Sequence, residues 1–221
     1  MHALVFDIET GPEVEAVLAT MEPEFSAPSN FKDPDKIAEK IEAQRAAWRD
    51  KAALCATTGR VLAIGTMLDD EVELLVVDPE EGFSEADLLE AFWQRAAPDG
   101  IWRHLIGFNS NRFDIPFLIR RSYKLGVDVP YGALNGRYLN SRFIDLMESW
   151  KLGDYQASIS LDRLAKHLGV GAKNGDGARF AELLEQDRAA ALDYLRNDIQ
   201  MTAAVARKLG VLAPLTKELA Y

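Results

Sequence analysis

An apolar run over residues 2–9, with Ala3, Leu4, Val5, Phe6 and Ile8, is broken by Asp7 and closed by Glu9, and it reads as a strand. Residues 60–68 and 72–78 are two further apolar runs flanking Asp69-Asp70, the chemistry of a hairpin. Over residues 84–97 the spacing becomes helical. Ser84 stands at the N-cap position, and Leu88, Leu89, Phe92 and Trp93 form one stripe. A short apolar strand follows at 104–109, then a helix at 113–125 with Pro116 in the first turn, where proline is tolerated. A fifth strand is predicted at 142–146, and three helices at 160–168, 177–184 and 188–209, with a glycine-rich loop at 169–177. The order βββαβαβααα predicts a mixed sheet with helices on its faces, an α/β domain.

Residues 12–59 depart from that succession. They run from an acidic stretch through the turn-rich Ala27-Pro28-Ser29-Asn30 into a charged helix over 34–54 that carries Ile37, Ile41, Trp48 and Leu54. This reads as a largely helical insertion folded against one domain spanning residues 1–221. Its position directly after the first strand places Lys32, Lys36, Lys40, Arg45 and Arg49 to form a wall or lid, with a packed structural appendage as the alternative.

Composition narrows the class. The 221 residues, 48% of them apolar, suffice for one large domain with a sizeable core. Cys55 is the only cysteine and there are three histidines, so neither a disulfide nor a zinc cluster is expected, which fits a reducing cytoplasm. The N-terminus has no basic leader and no apolar run is long enough to span a bilayer, so the expectation is a cytoplasmic chain. The net charge of −10 argues against a general nucleic-acid binder, which needs a basic footprint to displace counterions. Residues 101–151, however, hold eight basic and four acidic residues, a local +4 against −14 elsewhere. Ordinary solvated side chains account for such a run as well as a binding face does.

Three places carry candidate chemistry. Asp7 and Glu9 are two apart on a strand, so they leave the same face with backbones about 6 to 7 Å apart. Asp69/Glu71 and Asp78/Glu80 repeat the pattern, but in a turn and at a strand end. Acids inside an apolar, central strand are costly unless neutralised, and Mg²⁺, which takes carboxylate oxygens and substrate phosphate, would do that. An edge strand with solvated acids is the other reading. In the second place, 107–118, Asp114 falls in the first turn of a helix, where a dipole-complementing acid explains it as well as catalysis does. Asn109 reads equally as a turn residue, and Arg112, Arg120 and Arg121 bring positive charge near Asp114. In the third, Tyr194 and Asp198 are at i and i+4 and project from one helix face. In isolation they read as a core tyrosine beside a solvated aspartate.

Together these sites resemble the DEDD exonucleases of the ribonuclease H-like superfamily. Phe6-Asp7-Ile8-Glu9-Thr10 matches the first motif. Gly107-Phe108-Asn109 with Phe113-Asp114 matches the second, in the form found in family B polymerase proofreading domains. Tyr194-x-x-x-Asp198 matches the third and marks the tyrosine subclass, since Asp193 stands where the histidine subclass has its histidine. Phe143-Ile144-Asp145-Leu146 and Ser160-Leu161-Asp162-Arg163-Leu164-Ala165 are similar to the stand-alone, polymerase-B-like branch. The resemblance implies a five-stranded mixed sheet of order 3-2-1-4-5 and a 3′→5′ exonuclease. It implies two Mg²⁺ or Mn²⁺ ions held by Asp7, Glu9, Asp114 and Asp198, with Tyr194 orienting the attacking water. Thr10, Asn109, Arg112 and Phe113 are the implied substrate contacts. The implied partner is single-stranded nucleic acid, DNA ahead of RNA, together with proteins of replication or repair. An RNA-trimming enzyme and a catalytically weak binding module on the same fold are the alternatives.

Overall fold

The computed structural model describes residues 3–175 and 177–213. The start of the first predicted strand at His2 lies outside them, and so does Asp176 in the glycine-rich loop. Among the described residues the first three strands are β1 (Ala3–Pro12), β2 (Gly59–Leu68) and β3 (Glu71–Val76), and the sheet is completed by β4 (His104–Gly107) and, after a short separate hairpin, β7 (Phe143–Asp145). That hairpin pairs β5 (Leu134–Asn135) with β6 (Tyr138–Leu139). The sheet order is β3-β2-β1-β4-β7. Counted within the sheet this is the expected 3-2-1-4-5, and only the two-residue strands of the hairpin escape a reading based on period 2.

The strand β1 is central because it is apolar on both faces. Leu4, Phe6 and Ile8 pack with α3 (Glu85–Ala96) and α4 (Asp114–Leu125) on one side of the sheet. Ala3 and Val5 pack with α6 (Leu161–Leu168), α7 (Phe180–Gln186) and α8 (Arg188–Lys208) on the other. Period-2 alternation therefore puts Asp7 and Glu9 on the α8 side. The helix α8 lies close against the sheet: a Cβ on Gly65, the partner of Asp7 in β2, would come within 2.5 Å of Ile199.

Local signals set the helix ends. Ser84 and Asp87 form a reciprocal capping box at the start of α3. Ser160 and Asp187 accept backbone N–H groups at the starts of α6 and α8. Asp69 and Asp70, both at positive φ, make the tight turn between β2 and β3.

The segment between β1 and β2 holds α1 (Glu15–Met21), α2 (Pro34–Asp50) and a 3₁₀ turn at Ala52–Leu54. The predicted helix over 34–54 thus breaks at Lys51. No residue of α2 is buried. Ion pairs and one aromatic contact hold it to the preceding limb: Arg45 and Arg49 reach Glu22, Arg49 also reaches Glu15, and the ring of Trp48 lies 6.4 Å from that of Phe25. Two of the cations expected to face a substrate are therefore engaged within the insertion. Among the described residues no helix is long and apolar enough to cross a membrane.

Candidate active site

Beyond Val5 the strand β1 has no partner in β4, because their parallel register covers only residues 3–5 of β1. The N–H of Ile8 is taken instead by a side chain: it donates to Asp114 Oδ1 at 3.3 Å. Asp114, the first residue of α4, is thereby fixed beside the acids of β1 and is buried.

Asp7, Glu9 and Asp198 converge, with one carboxylate oxygen from each lying within 4.8 Å of the others. Glu9 and Asp198 are buried, and Asp7 is partly so. Tyr194 lies one turn before Asp198 on α8 and is buried too. Burial raises the Asp7 carboxyl well above its ordinary value, and the charges of Asp114 and Asp198 push it the same way. Glu9 is raised for the same reasons, with Asp7 and Asp198 as its main charged neighbours. Burial pushes Asp114 up to about 7 despite hydrogen bonds that favour its ionised form. The Tyr194 phenol is held far above its usual value by burial and the nearby acids, so it stays protonated.

A cation relieves part of this crowding. Lys173 Nζ donates to Asp198 Oδ2 at 2.5 Å and to the Tyr194 hydroxyl at 2.7 Å. Burial works against its ammonium, but the bond to Asp198 and the charges of Asp198, Asp7 and Glu9 outweigh it and raise its pKa. Asp162 Oδ1 accepts from the Lys173 backbone N–H at 2.9 Å and fixes the loop that delivers it. Asp198 Oδ1 is buried without a hydrogen-bond partner among the described residues. An all-oxygen donor set in which Asp7, Glu9 and Asp114 are raised and Asp198 keeps one orphaned carboxylate oxygen fits a divalent cation such as Mg²⁺ or Mn²⁺.

A pocket of about 460 Å³ surrounds these groups. Its lining includes all five expected catalytic residues together with Thr10, Asn109, Phe113 and Lys173. Thr10 follows a register shift at which Leu62 of β2 is left without a partner in β1, and it donates to Ala53 O at 2.8 Å. Asn109 sits at φ 58°, a turn conformation its short amide tolerates, and it also lies in the pocket lining. Arg112 is the exception among the expected contacts. It lies outside the lining and reaches Glu148 at 3.3 Å. Arg121 departs further from the charge reading: it is 1% exposed and pairs with Glu85 and Glu13, so it belongs to the core and not to a phosphate-facing surface.

Two residues of this site went unassigned in the sequence. Lys173 is a lone lysine in a glycine-rich loop, and no periodicity ties it to a helix that starts fifteen residues later. Asp145, in the quoted phrase Phe143-Ile144-Asp145-Leu146, is buried and accepts the backbone N–H groups of Asn109 (2.9 Å), Asn111 (3.1 Å) and Met147 (2.9 Å). It thus holds the loop of Phe108 and Asn109 and caps α5 (Leu146–Lys151) with the same carboxylate.

The family described as a predicted 3′-5′ exonuclease related to the exonuclease domain of PolB matches residues 54–213. No curated protein matches the chain. The family B DNA polymerase from the hyperthermophilic archaeon Pyrobaculum calidifontis shares the fold with a TM-score of 0.59 over 95% of this chain, at 19% identity. The chain corresponds to 24% of that polymerase's length. With the matched segment running from Leu54 through Tyr194 and Asp198, the chain belongs to this family of predicted 3′-5′ exonucleases related to the PolB exonuclease domain.

Proposed function

We propose that this exonuclease removes nucleotides one at a time from the 3′ end of single-stranded DNA, releases nucleoside 5′-monophosphates and depends on two divalent cations. The observation that carries this reading is the convergence of Asp7, Glu9 and Asp198 within 4.8 Å at the base of an open pocket, with Asp114 adjoining. Asp7, Glu9 and Asp198 would hold Mg²⁺ or Mn²⁺ directly, and Asp114 through water. When bound, the ions supply positive charge for the scissile phosphate and a more acidic water.

The chain's own groups do the rest. Tyr194 is protonated and its oxygen accepts from Lys173; its O–H, which also has the Asp198 carboxylate as a hydrogen-bonding neighbour, would donate to the attacking water and orient it. Lys173 fixes that oxygen and offsets the charge of Asp198. The water oxygen forms the new bond to phosphorus, the bond to the 3′ oxygen of the preceding nucleotide breaks, and that oxygen leaves with a proton. Thr10, Asn109 and Phe113, which line the pocket, would touch the terminal nucleotide. DNA is preferred over RNA as substrate because the family is related to the exonuclease of a DNA polymerase. Digestion of 5′-labelled single-stranded DNA and RNA, side by side with Mg²⁺, Mn²⁺ or EDTA, tests direction, sugar and metal together. A one-nucleotide ladder on DNA that EDTA abolishes is the expected result. Faster trimming of RNA would reassign the substrate.

A further inference from the structure

The end of α2 and the return limb that follows it reach the pocket, and none of the insertion's basic residues does: Asp50, Ala53 and Leu54 line it together with Phe108 and Phe113. Leu54 is 62% exposed there, a large apolar side chain kept in water at a polar site. The turn that carries it is firmly seated. Ala52 and Ala56 on either side are buried. Thr10 donates to Ala53 O at 2.8 Å, Thr58 to Ala52 O at 2.9 Å, and Arg121 to Ala56 O at 3.2 Å. The first residue of β2 passes so close that a Cβ on Gly59 would meet Ala52 O and Ala53 O at 2.9 Å each. Leu54 is therefore displayed on a fixed support beside the acids and is not part of a loose loop.

We propose that Leu54 is the surface on which the base of the 3′-terminal nucleotide rests, and so a substrate-positioning residue supplied by the insertion. The inference deepens the strand-end reading above and rests on it. Every base has an apolar face, so a leucine platform accepts all four without hydrogen-bond readout, as stacking sites for single strands do. Thr10 couples the platform to the catalytic strand, since its hydroxyl joins the residue after Glu9 to the residue before Leu54. The pocket volume lies within the range of small-ligand sites.

The test is a cycle between protein and substrate. Wild type and Leu54→Ala are compared on a single strand with an ordinary 3′-terminal nucleotide and on one whose terminal nucleotide is abasic. Both kcat/KM with Mg²⁺ and Kd by anisotropy with Ca²⁺ are measured. Leu54→Ala is expected to weaken the ordinary strand by about tenfold in both quantities and to leave the abasic strand nearly unaffected. Thermal stability should not change, because Leu54 is exposed. Equal losses on both strands, or none on either, would overturn the proposal. Failure of the wild type to cleave either strand would instead sink the exonuclease reading, and the Ca²⁺ binding cycle would still report whether Leu54 touches the base.

Discussion

The ammonium of Lys173 donates to the hydroxyl of Tyr194 over 2.7 Å and, with a second N–H, to Asp198. A loop and a helix thus share one hydrogen-bond network around the tyrosine hydroxyl and Asp198. Replacing Tyr194 by Phe keeps the ring and removes the hydroxyl proton, at a cost of one charge-assisted hydrogen bond, roughly 1.5 to 3 kcal/mol. The rate should fall by about ten- to a hundredfold, with metal affinity nearly unchanged. Lys173→Met should cost a similar factor, and the double variant should lose less than the product of the two, because both act through one network. Single-turnover rates on a 5′-labelled strand measure all three. An unchanged rate in Tyr194→Phe would make Tyr194 a packing residue only.

The pH dependence of the metal-free protein follows from the raised carboxyls. Asp7, Glu9 and Asp114 hold their protons more tightly folded than unfolded, so the native state binds more protons between the ordinary carboxyl range and, for Asp114, about pH 7. Stability contributed by these groups is present below that window and is lost as pH rises through it. In EDTA, melting temperature should fall from pH 5 to pH 8, and Mn²⁺ should restore it most at the higher pH. Asp114→Asn, which keeps an oxygen for the Ile8 N–H, should flatten this slope and raise the metal-free melting temperature at pH 8 by several degrees, at roughly 2 to 4 °C per kcal/mol. A slope as steep in Asp114→Asn as in the wild type, together with no stabilisation by Mn²⁺, would contradict it.

Much of this architecture was legible because period and burial agree. The alternation of β1 fixed both faces of the strand, and the i, i+4 spacing of Tyr194 and Asp198 turned both residues toward it. The rest depends on distance in the chain. Lys173 meets Asp198 across 25 residues, and Asp145 holds Asn109 across 36, through contacts that no local pattern encodes. Arg121 misled for a related reason. Its charge reads as surface, yet Glu13 and Glu85 arrive from two other elements to neutralise it in the core. The insertion was legible as a departure from the pattern, but not which limb of it faces the pocket.

Asp145 should act as a positioning residue. Asp145→Ala leaves three backbone N–H groups without their acceptor, so the protein should lose about 2 to 4 kcal/mol in urea unfolding. At temperatures where it stays folded, its kcat should also fall, since Asn109 is no longer held against the pocket. Turnover equal to wild type would show that the loop keeps its shape without the carboxylate.

The three arginines of the basic segment should separate. Arg121→Ala removes a fully buried guanidinium from between the part-buried Glu85 and Glu13, of which Glu13 keeps Lys124, and should destabilise by about 3 kcal/mol. Joint replacement of the exposed Arg112 and Arg120 by Ala should change stability by no more than about 0.5 kcal/mol. If this face meets the phosphate backbone, the double variant also binds single-stranded DNA with a shallower dependence of log K on log salt. A salt slope identical to the wild type would leave both as surface charges.

The proposed chemistry rests on the acids of β1 and α8. It is tested most directly by incubating 5′-labelled single-stranded DNA with wild type and with Asp7→Ala, in Mg²⁺, after circular dichroism shows both folded. A ladder shortening by one nucleotide at a time from the 3′ end is expected with the wild type, and an intact strand with Asp7→Ala. Wild-type-like cleavage by the folded Asp7→Ala protein would contradict it.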